Sequence, residues 1–563
     1  MKIYALLFFV FFAFIESPVF SQDYDAGQVF TRKDSLRGTL SPVRNSYDVT
    51  YYALDVTVDP GAKTISGSNT IYFTLTTATD KIQIDLFENM DIAGIWLNNV
   101  EELRFEREYD AVFISLGSIL PAGSMHHIEV KYGGKPQVAL LPPWDGGFVW
   151  ATDTTGHPQV AVACQGTGAS LWWPNKDHQS DEPDSMMISV TVPKDLQNIS
   201  NGRLRHVSKA KKGWTRYDWF VSYPINNYNV TLNIGKFAHF DDLYISEQGD
   251  SLTLNYYVLP QELDKAKAQF AQVRPMMDFF YTYFGPYPFV RDGYKLIQSP
   301  HLGMEHQSAV AYGNDYLNGY KGTSSSEIGI AFDFIILHET AHEWWGNNIT
   351  ANDMADMWLH ESFGAYSEGL YVEHIYGYDQ AMKYINGKKQ NVKNDRPIIG
   401  PYGVNTEGSG DMYDKGQLAL NTLRHVIGDD PLWFEMLKEL NVKFRYQTVD
   451  GREVIDFINE KTGRDFSYFF DQYFAHAALP ALLVGITKKG ERVQATYKWE
   501  AAVANFNMPV SVSTAPGKME VIYPDDSWQT IDLNGLAPDD FHIAEDQYFV
   551  ELKVWKTYVD PRR

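Results

Sequence analysis

SSSEIGIAFDFIILHETAHEWWGNNITANDMADMWLHESFGAYSE, residues Ser324–Glu368, contains the pentapeptide His338-Glu339-Thr340-Ala341-His342. Histidines four residues apart on a helix lie about 40° apart around its axis, so both imidazoles face one point. Glu339 follows the first of them and can lean toward whatever is bound there. This is the HExxH arrangement, in which two histidines hold zinc and the glutamate is general base for the water that zinc activates. Ser324 and Glu327 have capping-box spacing, and Ile328, Ala331, Phe334, Ile335 and Leu337 supply apolar positions. Together they predict a buried helix beginning near Ser324, with Gly346-Asn347 as its stop.

A catalytic zinc takes three protein ligands and leaves its fourth position to water. Eighteen residues separate His342 from Glu361, which falls in a second helical stretch, Met357 to Tyr371. Two antiparallel helices joined by a short polar turn would return Glu361 to the metal. His360 is a rival ligand, because neighbouring helix residues point about 100° apart and only one of the two can face the ion squarely.

HETAHEWWGNNIT followed by MWLHESFGAYSEGLY resembles the M1 zinc aminopeptidases, gluzincins whose pattern is HExxHxWxGN…WLxEGFAxYxE. The 18-residue gap is that family's, where thermolysin-like proteases have one residue more. The departures are Glu343 for Gln, Trp345 for Phe and His360 for Asn. The resemblance chooses Glu361 as third ligand and implies one zinc per chain, held by His338, His342 and Glu361.

Other segments extend the resemblance over nearly the whole chain after residue 21. Leu302-Gly303-Met304-Glu305-His306 is similar to the GAMEN exopeptidase motif and departs from it at Leu302, Gly303 and His306. It implies a substrate-binding strand of Gly303, Met304 and Glu305, with Glu305 holding the free α-amine. That role is physically sound, since a buried ammonium is tolerable only beside an opposing carboxylate. Within VACQGTGASLWWPNKDHQSDEPDSM, the likeness to the family's N-terminal domain implies that Gln165 assists at the same amine. GSGDMYDKGQLALNTLRHVIG resembles the YxKG segment, and places Tyr413 as donor to the developing oxyanion. A phenol suits that work, because its ordinary pKa of about 10 keeps its proton at neutral pH.

The chain has 563 residues, too many for one core. Its net charge of −23 argues against nucleic acid or anionic membrane as partner. The single cysteine, Cys164, excludes an intrachain disulfide and a thiolate metal site, and a buried inert thiol is expected. Met1–Ser21 reads as a secretory signal, with Lys2 before the apolar run Tyr4–Ile15 and Val19-Phe20-Ser21 as the cleavage pattern. An exported protein, periplasmic or extracellular, without stable membrane insertion, is expected.

Alternation by twos at Leu54, Val56 and Val58, at Ile71, Phe73 and Leu75, at Ile82, Ile84 and Leu86, and at Ile128, Val130 and Tyr132 predicts strands. Asp59-Pro60-Gly61 marks a turn between the first two. The expected fold is a multidomain α+β chain. An N-terminal antiparallel β domain spans 22–258, a thermolysin-like, mostly helical catalytic domain spans 259–478, and a C-terminal β-sandwich spans 479–563. Larger members of the family carry a further helical domain, and a short form with an open approach to the site is expected here.

The expected activity is removal of the N-terminal residue from peptides with a free amine. A zinc endopeptidase would share the metal site but lack the amine anchor. An epoxide hydrolase is a further alternative, since the family includes a leukotriene-processing member. A non-catalytic, zinc-stabilised binding protein would usually have lost the base or a ligand, and this chain keeps both.

Overall fold

The computed structural model describes residues 29–559. The expected signal, 1–21, lies outside them. Among the described residues no helix is long and apolar enough to cross a membrane.

The N-terminal unit is built from strands whose inward side chains follow the alternation in the sequence. Leu54, Val56 and Val58 of Tyr47–Asp59 are buried, as are Ile71, Phe73 and Leu75 of Thr64–Leu75. These two strands pair antiparallel, and Asp59 closes the turn between them by accepting from the backbone N–H groups of Gly61 and Ala62. They lie inside an eight-stranded sheet, beside sheets of four and three strands. The sheet is not wholly antiparallel as expected. Tyr47–Asp59 runs parallel to Ser185–Pro193, with Tyr51 opposite Ser185 and Thr57 opposite Thr191. A parallel neighbour needs a long crossover, and the chain between Asp59 and Ser185 supplies it by building most of the domain.

A second departure concerns the boundary at 258. Ala238–Ile245 and Ser251–Val258 pair with each other and then, through Ser251–Val258, in parallel with Tyr294–Gln298. They therefore belong to the five-stranded sheet that carries Gly303–Met304, and Tyr244, Leu254 and Tyr256 pack into the core of the helical unit. Strand alternation is identical whichever sheet a strand joins, so the sequence alone misplaced them.

The helical unit surrounds that sheet. Its central helices are Phe334–Ala341, Trp358–Tyr376 and Asp414–Ile427. Past Leu479 the chain returns to strands, four in one sheet and two in another. This last unit shares a continuous core with the helical one, and Tyr473 donates to the Phe549 carbonyl across the junction at 2.8 Å.

Candidate active site

The helix bearing the histidines begins ten residues later than its expected cap. Glu327–Ile330 forms a single 3-10 turn, and Asp333 caps Phe334–Ala341 by accepting from the N–H groups of Ile335 and Ile336. The Asp333 carboxylate also accepts from Tyr312, Asn314 and Gln269 at 2.7–2.9 Å. An acidic residue directly before an apolar helical run is itself a start signal, and here it outcompetes the serines. Ile328 and Ala331 consequently lie outside the helix.

His338 and His342 project from this helix toward Glu361 on Trp358–Tyr376. Their Nε2 atoms are 3.3 Å apart, and Glu361 Oε2 lies 3.6 Å from the first and 3.4 Å from the second. Ligands at tetrahedral corners about 2.0–2.2 Å from a zinc ion are separated by about 3.3–3.6 Å. The triangle therefore has the size that zinc requires. The chemistry of the donors agrees, because Glu361 Oε2 is buried and accepts no hydrogen bond. Each imidazole is also oriented from behind. His338 Nδ1 is 2.9 Å from Glu368 Oε1, and His342 Nδ1 is 2.8 Å from the Trp345 carbonyl, which leaves both Nε2 atoms for the metal. The charges of the triangle lean on one another. Burial opposes a charge on His342, but Glu361 and Glu305 override it and hold the imidazole up to about 9. Burial likewise opposes ionisation of Glu361, and His342 and His338 hold its carboxyl well below the usual range.

Glu368 was not singled out by sequence. It follows Glu361 by seven residues, two helical turns on the same face, and that spacing could have exposed it. Its other oxygen accepts from Tyr384 at 2.6 Å and faces Lys388 at 3.3 Å.

His360 is not available as a ligand. Its Nε2 accepts the Ala351 N–H at 2.9 Å, its Nδ1 lies 3.5 Å from the Tyr228 hydroxyl, and burial lowers its pKa to about 3. Tyr228 in turn donates to Glu305 at 3.1 Å.

Glu305 is 3 % exposed and lies with Glu339 and His342 in a second cluster, the three donor atoms within 4.8 Å of one another. Its backbone is held by Asn347, whose amide donates to the Glu305 carbonyl at 2.8 Å. Asn229 of the N-terminal unit donates to Asn347 and accepts from the Gln307 N–H, both at 2.9 Å. Glu343 accepts the Ser308 N–H at 2.7 Å just beyond. Met304 is buried in the short strand that pairs with Val310–Tyr312. Gly303 lies against Glu339, where any Cβ would collide with the carboxylate. Burial pushes the Glu339 carboxyl up, to about 8, and nearby Glu305 and Glu361 add to the rise.

Gln165 reaches the site, but its amide nitrogen donates to Glu361 Oε1 at 2.8 Å. Tyr413 ends the turn before Asp414–Ile427, with its ring centroid 6.0 Å from that of His338. Burial and the surrounding carboxylates push its phenol well above 10, so it keeps its proton. The three metal-facing side chains, Glu339, Glu305, Gln165 and Tyr413 line one cleft of about 1070 Å³. Cys164 stands apart, fully buried and donating to the Tyr228 carbonyl, as expected of an inert thiol.

Two family models match. The Peptidase M1 N-terminal domain covers residues 48–228, and the Peptidase family M1 domain covers residues 269–473. Together they take in more than half of the chain, which belongs to peptidase family M1. The "Probable aminopeptidase 1" of Saccharolobus solfataricus is 20 % identical over 419 residues, 70 % of this chain and 52 % of its own length. The "Leucyl aminopeptidase" of the same organism is 23 % identical over 407 residues, 69 % of this chain and 49 % of its own length. The chain thus spans about half the length of the curated relatives it matches. Among solved structures, a mutant M1 zinc metallopeptidase of Deinococcus radiodurans bound to Tyr-Ser-Ala is similar in fold. Its TM-score is 0.63 at 20 % identity, covering 76 % of this chain and 94 % of that one. Zinc is the cofactor that family membership and the donor set together imply.

Proposed function

We propose that this chain is a zinc aminopeptidase, and the placement of Glu305 carries the reading. In a peptide the α-nitrogen lies about 2.5 Å from the first carbonyl carbon. An anchor for the ammonium must therefore sit within a few ångströms of the groups that attack that carbonyl. Glu305 is buried within 4.8 Å of Glu339 and His342, so a peptide held there presents its first bond to the metal. A blocked or internal peptide would leave the buried Glu305 without a counter-charge, which costs about 1–3 kcal/mol or more for a charged group.

Zinc, when bound by His338, His342 and Glu361, supplies a Lewis acid that acidifies water and polarises the scissile carbonyl. Glu339 takes the proton from the attacking water and returns it to the leaving amine. Tyr413 donates its hydroxyl proton in a hydrogen bond to the oxyanion. Gln165 fixes the third ligand by donating to Glu361. The test is cleavage of a peptide before and after N-acetylation: the account requires the acetyl group to abolish turnover.

Three further readings belong with this one. The chain divides into an N-terminal β unit ending near residue 235, a catalytic unit and a C-terminal unit from about 479, whose two sheets we read as a β-sandwich. Met1–Ser21 is an export signal, testable by N-terminal sequencing of the mature protein, which should begin at Gln22. The partners are peptides with a free N-terminus.

A further inference from the structure

Of the glutamates that line the cleft, the aminopeptidase chemistry uses three. Glu361 faces the metal, Glu339 handles the proton and Glu305 takes the α-ammonium. Glu407 is left over. It lies on the loop before Tyr413 and lines the same cleft as Gln165, Glu305 and Glu361. Among the described residues it forms no ion pair and accepts no hydrogen bond. Arg396 is the one cation acting on it, from beyond ion-pair distance, and the Arg396 guanidinium is exposed and donates to the Gly408 carbonyl at 2.9 Å.

The placement is built. Asn405 donates to the Gly166 carbonyl at 2.9 Å, docking the 405–408 loop on the segment that carries Gln165. Gly166 has φ +69°, and a Cβ there would stand 2.9 Å from the Glu407 carboxylate. A side chain at 166 would fill the space that Glu407 faces. Burial, followed by Glu361 and Glu305, pushes the Glu407 carboxyl up to about 7. Glu407 therefore stands over the segment that carries Gln165, within electrostatic reach of both the third ligand and the amine anchor.

A peptide whose α-amine is held at Glu305 and whose first carbonyl faces the metal has its first Cα between them. Its first side chain then runs along this wall. We infer that Glu407 is a specificity-determining residue that selects a cationic first side chain, arginine or lysine, at the N-terminus of the substrate. This rests on the aminopeptidase reading. A carboxylate without an ion-pair partner discriminates by charge, because a neutral side chain of the same shape leaves it unpaired.

Arginine and citrulline differ in charge and scarcely in shape, so they isolate the effect. The experiment compares kcat/KM for the anilides of L-arginine and L-citrulline on the zinc-loaded full chain, in wild type, Glu407→Gln and Glu407→Asp. Wild type should favour arginine by about tenfold or more. Glu407→Gln should collapse that ratio, and Glu407→Asp should keep a preference for the cation. A wild-type ratio near one would overturn the inference. So would a ratio unchanged in Glu407→Gln with both rates lowered equally, since Glu407 would then be holding the α-amine. If neither anilide is hydrolysed, the aminopeptidase reading fails separately. Calorimetric binding of free L-arginine against L-citrulline then decides: charge preference lost in Glu407→Gln supports the selector, and equal affinities overturn it.

Discussion

Glu339 is the residue on which the chemistry turns, and its surroundings separate two jobs that are easily confused. It lies beside the metal triangle without belonging to it, since the Glu361 oxygen completes the set with the two Nε2 atoms. Replacing its carboxylate by an amide therefore removes the base and spares the ligands. Glu339→Gln should lower kcat by about 10²–10⁴-fold. Zinc content measured by atomic absorption should stay at one ion per chain. Loss of the metal in that variant would mean that Glu339 is a ligand, and full activity would mean that another group accepts the proton. His360 makes the complementary case: histidine beside a metal suggests a ligand, yet its Nε2 is spent on the Ala351 N–H.

At the scale of the element, the two helices Phe334–Ala341 and Trp358–Tyr376 act as one clamp. The second contributes the ligand Glu361 and, two turns on, Glu368, which fixes the His338 ring from behind. Glu368→Ala should leave all three ligands in place and free the ring to rotate. Zinc affinity, read by competition with a chelator, should fall about 10–100-fold. An unchanged affinity would show that packing alone orients His338. The clamp was legible in sequence because helical periodicity pairs His338 with His342, and the resemblance to the M1 pattern chooses Glu361 over His360. The helix start was not. Ser324 and Glu327 satisfy the spacing of a capping box, but Asp333 collects three further side-chain donors that no local pattern announces.

At the scale of the molecule, the N-terminal unit is part of the site and more than a scaffold. Asn229 bridges Asn347, next to the zinc helix, and Gln307, next to Glu305, so three segments distant in sequence share one buried amide. Asn229→Ala should leave Asn347 short of a partner and loosen the amine anchor. The expected result is a loss of about tenfold or more in kcat/KM with zinc content unchanged. Activity equal to wild type would show that the anchor is held without this bridge. What the sequence could reveal at this scale followed from periodicity. Strands with one buried face, such as Tyr47–Asp59, announce themselves, whereas the partner a strand chooses does not. Hence the parallel pairing with Ser185–Pro193 and the transfer of Ala238–Val258 to the catalytic sheet were both out of reach. Tyr228, Asn229 and Glu407 lie on stretches with no period at all, and only their three-dimensional neighbours give them meaning.

The central claim is that a free α-amine, held by Glu305, is a condition of catalysis. The most direct measurement is the hydrolysis of leucine p-nitroanilide and of its N-acetyl derivative by the zinc-loaded chain. The account predicts turnover of the free amine and none of the acetylated compound. Comparable turnover of both would contradict it, because Glu305 would then be no anchor and the chain an endopeptidase.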